Sequence, residues 1–277
     1  MAGADMAGAD MDLHNIQTII RPTTRQSIPP PRPGAALIAG GTWIFSEPQP
    51  GTHTLIDLTT LAWPALEPMP DGLRIAATCT IAQLEAFEPP PAWRAAPLIT
   101  GCCNALLGSF KIWNRATVGG NVCLALPAAP MLALTVALDG TALVWTAAGE
   151  RTVPMAQFAT GAQQTTLQPG DILRAIDLPA AALRRRTALR QASLSSLGRS
   201  AALLVGTWDD RSFGLTITAS TTHPLHTAWP GRPSPATLDA HIDGIPPAAW
   251  YDDVHGTPSW RRHMTRRLAH ELLAEAA

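Results

Sequence analysis

Lysine is nearly missing from this sequence: Lys111 stands alone against 19 arginines in 277 residues. With 21 acidic residues the net charge is −1, so no strong field of either sign marks the chain for nucleic acid or an anionic surface. Arginine in place of lysine, beside abundant alanine, reads as a GC-rich coding bias rather than a set of phosphate contacts. Long apolar runs are missing too, and none reaches the ~18 to 20 residues a membrane span needs. The four cysteines, Cys79, Cys102, Cys103 and Cys123, form no CxxC pair and have neither zinc nor iron–sulfur spacing. That excludes a disulfide scaffold or a resident cluster and predicts plain buried thiols in a reducing, cytoplasmic setting. The eight histidines include no HExxH or other metal pattern. The opening "MAGADMAGAD" lacks both a basic region and an apolar core, so residues 1–11 read as a disordered tail rather than a signal peptide.

What is present is a globular composition, 46% hydrophobic and only 15% charged, in a chain long enough for two domains or one large one. The segment 35–47 reads as an apolar strand entering a Gly-Gly turn, and those at 53–59, 72–78 and 170–179 read as strands. "TALVWTAAGERTVPM" reads as a hairpin around Ala148-Gly149. Thr80 followed by Gln83 is a capping box that predicts a helix start. "PLITGCCNALLGSF" (97–110) reads as a helix opened by Pro97, and "PMLALTVALDG" (130–140) as a buried helix stopped by Gly140. The charged shift "AAALRRR" after Pro179 suggests a boundary. Beyond it lie the strand-like "TALRQAS", "AALLVGTWDD" and "FGLTITAS", then "HPLHTAWPGRPSP", predicted as an exposed loop. Thr257 and Pro258 open a C-terminal helix with a stripe at Trp260, Met264, Leu268 and Leu272; its four arginines are predicted to be solvated. Strands mixed irregularly with helices make the chain α+β.

Two segments stand out chemically. "AGGTW" (39–43) and "TVGGN" (117–121) each carry paired glycines between an apolar run and a polar residue. Either each is an ordinary turn, or each presents backbone N–H groups to an anion such as a diphosphate. In the second reading Gly120 takes a positive φ and lies against a phosphate oxygen. Neither segment is a GxxxxGK[ST] or GxGxxG motif.

Their order and separation, with the text that follows, resemble the flavin-binding subunit of the molybdenum hydroxylases, the xanthine dehydrogenase and carbon monoxide dehydrogenase family. Family members carry "AGGTD"-like and "TIGGN"-like loops. "ERTVPMAQFATGAQQTTLQPGDILRAIDLP", "LRQAS" and "DDVHGTPSWRRHMTRRLAHELL" extend the resemblance over nearly all of residues 12–273. It implies a two-part FAD-binding domain over 12–180, divided near 60, and a smaller α+β domain over 181–277. It further implies that Ala39, Gly40, Gly41, Thr42 and Trp43 form the first FAD loop and Thr117, Val118, Gly119, Gly120 and Asn121 the second. Leu107 and Leu173 fall at apolar flavin contacts, and Arg190 where a basic residue approaches the ring. The expected partners are a large molybdopterin-binding subunit and a small [2Fe–2S] subunit, with NAD, a quinone or oxygen as acceptor. No catalytic acid or base is expected, because the redox chemistry belongs to the cofactor. Trp43 and Pro130 stand where the family has acids, and Trp113 where it has arginine. These departures motivate a second reading, a structural subunit that has lost FAD. A third is a self-sufficient flavin reductase.

Overall fold

The computed structural model describes residues 15–196 and 198–277; the tail expected over 1–11 lies outside the described residues. The chain builds three main sheets in succession. The first is small and parallel, with β1 (Thr18–Ile20), β2 (Ala35–Ile38) and β3 (Thr54–Asp57) in the order β1-β3-β2. Its central strand buries Thr54, Leu55 and Ile56. Asp57 ends it by accepting from the Thr59 amide at 3.0 Å, which caps a 3-10 turn over Leu58–Leu61.

The second sheet is antiparallel. Its strands are β4 (Leu66–Met69), β5 (Gly72–Ala76), β6 (Thr141–Thr146), β7 (Gly149–Pro154) and, after the short ribbon β8 (Ala159–Gly161) and β9 (Gln164–Thr165), β10 (Ile172–Pro179). They lie in the order β4-β5-β10-β6-β7. Between β5 and β6 the chain runs through α1 (Ile81–Glu85), α2 (Ala96–Ala105), α3 (Phe110–Trp113), α4 (Val118–Leu124) and α5 (Pro130–Ala137). The capping box at α1 forms: Thr80 Oγ1 accepts from Gln83 N at 3.1 Å, and Gln83 Oε1 from Thr80 N at 2.9 Å. All eight residues of α5 are buried, because this helix is enclosed by the third sheet on one side and by α2 and α4 on others. That explains why "PMLALTVA" has no polar face.

The short helices α6 (Met155–Phe158) and α7 (Ala180–Leu183) lead to the third sheet, an antiparallel meander of β11 (Arg186–Ala192), β12 (Ala202–Trp208), β13 (Ser212–Thr218) and β14 (Leu225–Pro230). Helices α8 (Pro235–Asp243) and α9 (Pro258–Glu275) pack on it. Residues Ala202–Thr207 of β12 are all buried, since one face meets α5 and the other α9.

Three expectations are corrected. "HPLHTAWPGRPSP" is not a loop: Leu225–Pro230 pair with β13, and the prolines fall at the strand's edges, where a missing N–H costs no ladder bond. Of the four arginines on α9, Arg261 is not solvated; it is 1% exposed, and its guanidinium donates to the carbonyls of Gly256, Ala201 and Ala219 and to Asp253. Cys79, Cys102 and Cys103 are buried, but Cys123 is exposed on α4. Burial pushes the Cys79 and Cys103 thiols up to about 12, so neither ionises near neutrality.

Candidate flavin site

The first glycine segment leaves β2 and turns sharply. Gly41 sits at φ +75°, a conformation that favours glycine, and a Cβ there would meet the Phe45 ring at 2.5 Å. Phe45 N donates to Gly41 O at 3.0 Å and Ser46 N to Trp43 O at 2.9 Å, closing the turn. Among the described residues, the amides of Gly40, Gly41, Thr42 and Trp43 donate to no protein acceptor. Four successive N–H groups left open around a left-handed glycine make a concavity suited to an anion. Ala39 is half-buried at the foot of this turn, and Trp43 is exposed at its rim.

The second segment is not a loop. Val118–Leu124 is helical, with Thr117 as N-cap, so Gly119 and Gly120 occupy the first turn and neither has a positive φ. Its amides are already used. Val118 N donates to Cys79 O (2.8 Å), Gly119 N to Ala77 O (2.9 Å), Gly120 N to Thr117 Oγ1 (3.0 Å) and Asn121 N to Thr117 O (3.0 Å). Gly119 is there because a Cβ would lie 2.6 Å from the Ala77 carbonyl oxygen; the helix start is pressed onto the end of β5. Gly120 is different. It is exposed, and a Cβ there would meet only Thr117 Oγ1. What this segment offers a ligand is therefore a bare Cα at Gly120 and the amide group of Asn121. Asn121 Oδ1 accepts from Met131 N at 3.0 Å, capping α5 directly after Pro130. Val118 is wholly buried and serves the core.

The two segments meet. A Cβ on Gly40 would lie 1.8 Å from the Arg115 carbonyl oxygen, so the first turn is in backbone contact with the residues just ahead of Thr117. Between the first and second sheets runs a cleft of about 480 Å3 lined by Ile28, Pro31, Leu37, Ile56, Gly170 and Ile172, among others. That falls within the ~300–1,000 Å3 of ligand pockets and is largely apolar, suited to a planar ring system. Leu37 lies three residues before Gly40, at most about 10 Å away along the chain.

The other candidates are dispersed. Leu107 is 62% exposed in the turn between α2 and α3. Leu173 points into the core, opposite Val144, while its neighbour Ile172 lines the cleft. Arg190 is ion-paired to Glu271 at 3.4 Å and to Glu275, both on α9. The sequence reading did not single out Leu37, Ile56 and Ile172, the strand residues that line this cleft. The "IPPPRPG" run at 28–34 was the one available signal of a cleft wall. Trp113 is half-buried against the core, with Nε1 donating to Leu106 O at 3.4 Å. Trp113→Ala is expected to lower stability by about 2 kcal/mol in denaturant titration; unchanged stability would show that its packing against the core carries no weight.

Among the described residues no helix is long and apolar enough to cross a membrane, and no group of three His, Cys, Asp or Glu is placed to hold a metal. Comparison with known proteins gives concordant results. Residues 18–181 match the family model described as "FAD binding domain in molybdopterin dehydrogenase". The xanthine dehydrogenase FAD-binding subunit of Escherichia coli O157:H7 is 25% identical over 268 residues, covering 88% of this chain and 89% of that one. The fold is similar to a chain of quinoline 2-oxidoreductase from Pseudomonas putida 86 (TM-score 0.76, 17% identity, 94% and 96% coverage). It is also similar to a chain of carbon monoxide dehydrogenase from Hydrogenophaga pseudoflava (TM-score 0.75, 20% identity, 88% and 89% coverage). A glycine turn with open amides, a second glycine pair behind it and a matching family model over most of both sheets lead to one statement: the chain belongs to the family of FAD-binding domains of molybdopterin dehydrogenases.

Proposed function

We propose that this chain is the flavin-carrying, electron-transfer subunit of a multi-subunit molybdenum hydroxylase, working in the cytoplasm. The partners in this reading are a large molybdopterin-binding subunit and a small subunit with [2Fe–2S] clusters, and the terminal acceptor is NAD, a quinone or oxygen. The observation that carries it is the backbone contact of Gly40 with Arg115, which brings the turn with the open amides of 40–43 against the residues just ahead of the second glycine segment. Those groups fit a diphosphate: N–H donors lie on one side, and on the other no Cβ obstructs the approach. The cleft at Leu37, Ile56 and Ile172 fits a ring of the same molecule.

When bound, FAD supplies the capacity to accept electrons singly and release them in pairs. The chain's own residues bind and orient it. The amides of Gly40–Trp43 hold negative charge, Thr117 fixes the helix start that presents Gly120, and the aliphatic cleft excludes water from the ring. No side chain is assigned a proton to move.

The competing reading, a structural subunit without FAD, is favoured by the commitment of the 118–121 amides within the protein and by the burial of Pro130 where the family has an acid. Purification decides between them. The flavin reading predicts a yellow protein with flavin absorption; a colourless chain that neither co-purifies with nor takes up FAD supports the structural one. The flavin is expected to be noncovalent, since neither glycine segment contains His or Cys. Acid precipitation should leave it in the supernatant, and flavin retained on the denatured chain would refute this. The isolated subunit is not expected to oxidise an aldehyde or N-heterocycle.

A further inference from the structure

The flavin reading makes one molecule span two bodies, the small sheet of residues 15–61 and the rest of the chain from residue 66. Beside the covalent link, three of the contacts between them stand out. Gly40 lies against the Arg115 backbone, Pro31 packs over Gly170, and Arg25 reaches the β6–β7 turn. The first two are close packing with no directional bond. Among the described residues, every hydrogen bond between residues 15–61 and residues 66–277 is made by Arg25. Its Nη2 donates to the carbonyls of Thr146 (3.2 Å) and Gly149, and its Nη1 to Glu150 Oε1 at 3.3 Å. The guanidinium lies 4.8 Å from the centre of the Trp145 ring, which itself stands edge-on to Trp63 at 5.3 Å.

We propose that Arg25 is a positioning residue for flavin binding, a clamp that holds the small sheet in the orientation the cofactor needs without touching the cofactor. The proposal rests on the flavin reading above. The chemistry suits the task. A planar fork can serve two carbonyls and a carboxylate at once while stacking on an indole, whereas a lysine can offer only a point charge. The carbonyls belong to a tight turn whose ends, Thr146 and Gly149, are paired in register, so the anchor is rigid. The orientation it fixes matters because Leu37 and Ile56 form one wall of the cleft and Gly170 and Ile172 the other. The amides of 40–43 and the bare Gly120 likewise come from opposite bodies. Without the clamp, the two halves of the site sample more relative positions, and the flavin must bear the cost of ordering them.

The test uses the full chain, as purified and after flavin removal, in wild-type, Arg25→Ala and Arg25→Lys forms. Flavin affinity is read by fluorescence titration and local opening by hydrogen exchange. Arg25→Ala is expected to weaken FAD binding about tenfold, the value of one charge-assisted contact set, with Arg25→Lys between it and wild type. In the flavin-free protein, exchange in residues 18–57 is expected to speed up while β11–β14 stay unchanged. Wild-type affinity in Arg25→Ala, or unaltered exchange in 18–57, would overturn the clamp. Faster exchange across all three sheets would also overturn it, because Arg25 would then be a general stability element. A wild-type chain that binds no FAD would sink the flavin reading instead, and the exchange comparison would still judge whether Arg25 ties the two bodies together.

Discussion

Gly40→Val is expected to yield a protein with no bound flavin. The smallest side chain at this position collides with the Arg115 carbonyl at 1.8 Å, an approach no real Cβ makes, and the obstacle is backbone rather than a movable side chain. The first turn must therefore withdraw from the second glycine segment, carrying the open amides of 40–43 with it. Overpacking of this kind costs about 1–3 kcal/mol, so the variant should fold with a reduced melting temperature while its flavin-to-protein absorbance ratio falls to background. Gly120→Val is the instructive companion. There the new side chain meets only Thr117 Oγ1 and otherwise points into the open face. Stability should change less, and flavin should still be lost if that face meets the diphosphate. Wild-type flavin content in Gly40→Val would show that contact between the two segments is irrelevant to the cofactor. Wild-type content in Gly120→Val alone would remove the second segment from the site.

The largest effect on stability is expected at Arg261. Its side chain is 1% exposed, yet it carries a full charge. It is held by donating to Gly256 O and Ala201 O, both at 2.8 Å, to Ala219 O and to the Asp253 carboxylate, and it lies over Tyr251. One guanidinium thus pins the start of α9 to the ends of β12 and β13 and to the 251–256 turn. Arg261→Met fills similar volume but strands three carbonyls and a carboxylate, a loss of about 3–5 kcal/mol by analogy with broken buried ion pairs. Chemical denaturation at constant pH would measure it. Arg261→Lys should recover only part, since one ammonium cannot reach all four acceptors in their fixed places. Asp253→Asn should cost less, because that side chain is 24% exposed and water can substitute for part of its role. A loss under about 1 kcal/mol in Arg261→Met would show that the carbonyls find other donors. The arginine would then be a passenger in the fold.

The division between what was legible and what was not follows from the range of the forces involved. Helix starts are local. Thr80 with Gln83 and Thr257 with Pro258 are read within four residues, and the structure forms both caps. Fully apolar runs such as 130–137 announce burial whatever they pack against. Glycine pairs announced special backbone, and the ordered set of motifs resembled a flavin-binding family that the comparisons establish. The purpose of each glycine was not legible. Gly41 serves a left-handed turn, Gly40 a contact with Arg115 seventy-five residues away, Gly119 a contact with Ala77 and Gly120 an open face. A missing Cβ looks the same in sequence whichever neighbour requires it.

The sequence by itself determined the α+β class, most element positions, the family resemblance and the two segments from which a flavin site could be built. Each rests on composition, on short-range periodicity or on an ordered string of residues, all of which survive in one dimension. Only the tertiary structure decided which amides remain open, that Ile172 rather than Leu173 meets the cleft, that Arg190 faces α9 and that Arg261 is buried. It alone decided that Arg25 carries the polar connection between the small sheet and the rest. A polar side chain is solvated, buried or bridging according to partners that lie as far as 125 positions away along the chain. Hydrogen bonds and backbone contacts act over about 3 Å in space, so their partners are set by how the sheets stack, which local sequence does not encode.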